Sequence, residues 1–211
     1  MKNRWKLVAG ALLMALVLAA CGGDDNSGGD TGSSPGTTAS TGTTGGGTVS
    51  ADEYVHSVCT SMSTWVTDVQ NLSNSFGSDV DPTDLEATKN AIVDLFGQMV
   101  DATDKLISSL QAAGTPDVDN GDQIKAALND SFTQARQALS DAKDQIANLD
   151  TSDPTQFATQ LQGIGTAIQS SMSGITGSLS GLQAPELEQA AANEPACASL
   201  AAGASGASGT T

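Results

Sequence analysis

Apolar residues spaced at alternating steps of three and four, sustained over one segment after another, constrain this chain most. Ala51, Val55, Val58, Met62, Trp65, Val69, Leu72 and Phe76 recur in that way. Such a seam lies along one side of a helix and is expected where helices pack nearly parallel to their neighbours. Ser50 and Glu53 match a capping box at its start, the hydroxyl aimed at a free N–H of the first turn. A second stripe runs through Leu85, Ile92, Leu95, Met99, Leu106 and Leu110, with Asp81 as the expected N-cap and Pro82 at the first helical position. Gly114 and Pro116 mark its stop.

A third stripe starts near Asp122 and holds Ile124, Leu128, Phe132, Ala135, Leu139, Ala142, Ile146 and Leu149. The fourth begins at Asp153-Pro154 and continues through Phe157, Leu161, Ile164, Ile168, Met172, Ile175, Leu179 and Leu182. A short helix is expected from Pro185 to about Ala192. No window alternates as a strand would. The expected fold is therefore all-α, an antiparallel four-helix bundle over residues 50–198, roughly 40 Å long. Asn71-Leu72 ahead of Asp81-Pro82-Thr83 parallels Asn148-Leu149 ahead of Asp153-Pro154-Thr155, which hints at two duplicated helical hairpins.

The ends of the chain have a different character. Lys2, Arg4 and Lys6 precede an apolar run from Leu7 to Ala20, too short for a spanning helix and of secretory-signal length. Residues 22–49 are almost entirely Gly, Ser, Thr and Asp and lack apolar groups to offset the entropy of ordering. They are expected to form a flexible tether with a mean reach of roughly 30 Å. Residues 199–211 share that composition and are expected to be a disordered tail.

Leu18-Ala19-Ala20-Cys21, closing the apolar run and followed by Gly22-Gly23-Asp24-Asp25, resembles a bacterial lipobox. The resemblance implies cleavage after Ala20 and a diacylglyceryl thioether on Cys21, often with N-acylation. Residues 1–20 are then a lipoprotein signal peptide and residues 21–49 the tether. The layout, rich in Ala, Gly, Thr and Asp and poor in Lys, resembles actinobacterial cell-envelope lipoproteins. It implies a lipid-anchored protein at the extracytoplasmic face of the cell membrane. Two or three acyl chains hold stably where a single chain is marginal.

Of the three cysteines, lipid on Cys21 leaves Cys59 and Cys197. In an oxidising compartment the simplest reading is one disulfide between them. Four antiparallel helices would bring the end of the fourth back to the start of the first, where these cysteines could meet. Closing so long a loop stabilises a fold by up to about 5 kcal/mol in the chain-entropy account.

Charge and motifs narrow the function. The chain carries 8 Lys and Arg against 24 Asp and Glu, a net charge of −16. Loss of the basic signal would leave a mature charge near −19, which repels phosphate backbones, so no nucleic-acid partner is expected. The single histidine, His56, is expected to lie exposed on the first helix, because metal binding would need ligands the chain does not offer. Asp117 to Asp122 resembles a calcium loop but has its glycine one place early and Leu128 in place of the bidentate glutamate. Asp79, Asp81, Asp150 and Asp153 should gather at the far end of the bundle, two of them as N-caps. No GxSxG, HExxH or phosphate-loop pattern is present. No catalytic residue, metal or cofactor is expected, and the chain reads as a non-enzymatic interaction or structural module with a protein partner in the envelope. The alternative is a binding module for a small apolar ligand or a divalent cation. The fourth helix, uncharged from Pro154 to Pro185, offers a ridge of Ser170, Gly174 and Ser178 for close approach of another backbone.

Overall fold

The computed structural model describes residues 47–79, 84–179 and 184–206. They are mostly helical. In chain order the elements are β1 (Thr48–Val49), α1 (Ala51–Asp79), α2 (Leu85–Ala112), β2 (Thr115–Pro116), α3 (Gly121–Ala147), α4 (Pro154–Leu179), α5 (Pro185–Asn193) and α6 (Pro195–Gly206).

Local chemistry sets the helix ends. Ser50 Oγ accepts from the Glu53 N–H at 3.3 Å, the expected cap of α1. The cap of α2 differs from the expectation at Asp81. Asp84 holds an extended backbone, and its carboxylate accepts from the Ala87 N–H at 2.9 Å, so the helix starts at Leu85. Two aspartates three residues apart can each cap a helix, and Glu86 in the first turn after Asp84 further favours the later start. Asp81 and Pro82 themselves lie outside the described residues. At α4 the expectation holds, since Asp153 accepts from the Thr155 and Gln156 N–H groups.

The connection between α2 and α3 contains an element that periodicity did not suggest. β1 pairs in parallel with β2, Thr48 opposite Thr115 and Val49 opposite Pro116. Gly47 and Val49 carbonyls accept from Thr115 and Asp117 N–H groups at 3.1 and 2.8 Å. Two glycines make this possible. Gly114 takes φ +85°, and a Cβ there would sit 2.8 Å from the Gly47 carbonyl oxygen. A Cβ at Gly121 would sit 2.0 Å from the Pro116 carbonyl oxygen. Asn120 reaches α3 through a left-handed turn at φ 60°, a conformation asparagine tolerates, and α3 begins at Gly121, next to the expected Asp122.

The first three long helices alternate in direction. The strand pairing joins the start of α1 to the end of α2, while Trp65 Nε1, further along α1, donates to Thr103 Oγ1 earlier in α2. Likewise Asp104 meets Arg136 and Glu86 meets Thr151, so α3 runs against α2. In the packing, α1 lies on α2, α2 on α3 and α3 on α4. The other flank of α1 is taken by α5 and α6, and among the described residues no substantial contact joins α1 to α4.

Two apolar clusters carry the core. One joins Val69, Leu95, Met99, Val100 and Leu139, with Trp65, Leu72, Phe76 and Phe96 packed against it. The other joins Ala142, Ile146, Ile164 and Ile168, with Ile92, Val93 and Leu161 beside it. Phe157, Leu110 and Leu139 are fully enclosed. Tyr54, outside the expected seam, is also buried. Met172, Ile175, Leu179 and Leu182 of the fourth stripe lie outside the residues whose side chains are described.

The chain after α5 departs from the expected tail. Residues 199–206 continue α6 instead of following the domain as a tail, and 207–211 lie outside the described residues. Pro195 at the first helical position and the Glu194 carboxylate, accepting from the Ala196 N–H at 3.1 Å, start a helix that the alanine-rich segment then propagates.

Candidate functional site

The chemistry-bearing side chains that the fold brings together lie where α6 crosses α1. Cys59, on α1, is bonded to Cys197, on α6, with Cα atoms 5.1 Å apart, inside the ordinary range for such bonds. Three residues earlier along each chain segment, His56 Nδ1 on α1 lies 3.0 Å from Oε2 of Glu194, the residue just before α6. Both contacts span 138 residues of sequence, so α6 runs parallel to α1. The expected disulfide is therefore present, but it fastens a C-terminal helix that was not foreseen. Its flanking ion pair was missed too. The signal that could have found it is Glu194-Pro195, the same acidic-cap-then-proline pattern that opens α4.

The electrostatics of this cross-connection centre on Glu194. Its Oε1 accepts the Ala196 N–H and its Oε2 meets His56. The Ala196 bond, and then the His56 bond, hold its carboxyl below the usual glutamate range. The His56 side chain is 65% exposed, so the pair is a surface one and contributes little by itself.

Cys21 lies outside the described residues, as do Asp81 and the whole of 1–46. The Asp150 carboxylate accepts from the Ser152 N–H, and Asp153 caps α4. Glu86 pairs with Lys89 and Thr151, which lower its pKa. Among the described residues no group of three or more His, Cys, Asp or Glu side chains is placed to hold a metal ion. Nor is any described helix long and apolar enough to cross a membrane. The stretch from Asp117 to Gly121 is spent on the strand pairing and on the approach to α3, with the Gly121 N–H donating to the Val118 carbonyl. Gly174 and Ser178 of the small-residue ridge lie outside the residues whose side chains are described.

A shallow, open groove of about 580 Å³ runs between the end of α3 and the start of α4, lined by Asp144, Asn148, Leu149, Gln160, Gly163 and Ile164 among others. Gln160 Oε1 is buried there without a hydrogen-bond partner. Leu149 and Ile164 supply its apolar part.

Comparison with protein-family models, with curated proteins and with solved structures finds no match to this chain.

Proposed function

We propose that this chain is a lipid-anchored envelope protein whose helical domain serves as a non-enzymatic interaction or structural module at the extracytoplasmic face of the cell membrane. The observation that carries the reading is the division of the cysteines. Cys59 and Cys197 are bonded to each other. Cys21 stands directly behind Leu18-Ala19-Ala20 and ahead of a glycine- and threonine-rich stretch. On this reading Cys21 carries the lipid, residues 21–49 hold the domain away from the bilayer, and the net charge of −16 disfavours contact with anionic headgroups. The four long helices are read as an antiparallel up-down-up-down bundle. The opposed directions of α1, α2 and α3 support that, with α5 and α6 laid along the flank of α1.

The test is replacement of Cys21 with Ala in the full chain, followed by separation of membranes from soluble material. The wild type is expected in the membrane fraction and to incorporate labelled fatty acid, and the variant in the soluble fraction without label. Unchanged sedimentation of the variant with membranes overturns the reading.

A second reading, a binding module, is favoured by the groove between α3 and α4 and its unpartnered Gln160 Oε1. The ligand on that reading is small and partly apolar, or a divalent cation. Native mass spectrometry of the purified chain separates the two. A bound small molecule or metal, lost on Gly163→Leu, supports the binding module, and a bare mass supports the interaction module.

A further inference from the structure

Helix α6 is held to the rest of the molecule in an unusual manner. Its principal contacts are with α1 and α5, and none of the side chains of residues 195–200 is buried. Its described non-covalent attachment is half-buried packing against α1 and α5 together with the His56–Glu194 pair, whose histidine is exposed. The covalent one is Cys59–Cys197, and neither cysteine is buried. Helix α5 differs. Ala190 is buried in it and Ala184 is buried at its N-cap, so it has apolar attachment of its own. The two apolar clusters that hold α1 to α4 draw on residues from Trp65 to Ile168 and none from α5 or α6.

We propose that α6 is a redox-released strap, docked on α1 while Cys59–Cys197 is intact and set free by a dithiol reductant without unfolding of the α1–α4 core. A thiolate of the reductant attacks one sulfur of the pair. The Sγ–Sγ bond breaks and a mixed disulfide forms. The reductant's second thiolate then closes its own disulfide and expels the protein sulfur. Two electrons and two protons pass from the dithiol to Cys59 and Cys197, which end as thiols. With the bond gone, only half-buried packing on α1 and α5 and a surface ion pair worth little remain to offset the entropy of ordering the helix. Release uncovers the face of α1 around His56 and Cys59 and turns the C-terminal segment into a free arm.

The experiment is amide hydrogen exchange on the full chain, oxidised, reduced with dithiothreitol, and as the Cys59→Ser/Cys197→Ser double variant. Amides of residues 196–206 are expected to exchange about tenfold or more faster in the reduced and variant forms. Amides of α2, α3 and α5 should stay within about twofold of the oxidised protein, and reoxidation should restore protection to α6. Two outcomes overturn the proposal. If α6 keeps its protection after reduction, its docking does not depend on the bond. If α2 and α3 lose protection together with α6, the bond is a staple of the whole fold and not a strap.

Discussion

At the scale of single residues, backbone space decides the largest effects. A methyl on Gly121 would meet the Pro116 carbonyl oxygen at 2.0 Å, and backbone cannot step aside as a side-chain tip can. Gly121→Ala is expected to destabilise by about 3 kcal/mol. Gly114→Ala combines a positive φ with contacts at 2.8 and 2.9 Å, and should cost roughly as much. Gly163, inside α4, has nothing within 4 Å of its would-be Cβ, so Gly163→Ala should stabilise by up to about 1 kcal/mol. Urea unfolding of the three variants checks both signs. Tyr54 offers a second residue-scale test, because it is the chain's single tyrosine. Burial pushes its hydroxyl up to about 12. The folded form therefore keeps the phenol neutral where the unfolded chain ionises, and stability falls as pH rises from about 10 through 12. Tyrosinate absorbance should show a midpoint near 12 in native protein and near 10 in urea.

At the scale of elements, α6 shows how a helix of small residues can depend on one cap. Glu194 accepts from the Ala196 N–H and meets His56, and both contacts favour its charged form. Because its folded pKa is depressed, its contribution is present above the ordinary glutamate value and is lost as pH falls through the lower folded one. The protection factors of α6 amides, corrected for the intrinsic slowing of exchange in acid, should therefore fall on acidification through that window, and Glu194→Gln should remove most of the fall. Exchange in α3, which has no contact with Glu194, should not follow the same profile. The core elements depend on a different chemistry. Trp65 Nε1 donates to Thr103 Oγ1 at 3.2 Å, and that hydroxyl donates to the Met99 carbonyl at 2.8 Å. Thr103 is completely buried, so Thr103→Val, close in shape, leaves the indole N–H without its acceptor. A loss of about 1–3 kcal/mol in chemical denaturation is expected.

At the scale of the whole molecule, charge works against compactness. A net charge of −16 on 211 residues makes the folded chain repel itself. Raising salt from about 0.01 M to about 0.15 M shortens the screening length from about 30 to about 8 Å. The Tm is expected to rise over that range by several degrees. A calorimetric scan in which the Tm falls with salt would show that attractive pairs such as Arg136–Asp104 and Lys89–Glu86 outweigh the repulsion. The staples and the core are also unevenly placed. The strand pairing, the disulfide and the His56–Glu194 contact all sit near the start of α1, while the two apolar clusters lie along the other half of the helices. The end from which the chain leaves toward residue 46 thus adds strand hydrogen bonds and a covalent link to the burial of Tyr54, Val55, Leu106 and Leu110.

Much of this was legible in the sequence. Helical periodicity is a local property, and the stripes through Leu95, Met99, Leu106 and Leu110, and through Ala135, Leu139, Ala142 and Ile146, are buried as their spacing demands. Asp153-Pro154 and Ser50 are local too, since a cap needs only the first turn that follows it. The pairing of Cys59 with Cys197 could be read by counting, on the expectation that Cys21 is set aside for lipid. What the tertiary structure decided is everything that depends on a distant partner. The short strands form because Gly47 and Val49 find Thr115 and Asp117, and Tyr54 is buried although it stands off the seam. Helix α6 is the fullest case. Its composition reads as a tail, and only the arrival of Cys59 and His56 from the far end of the chain gives those residues something to be ordered against.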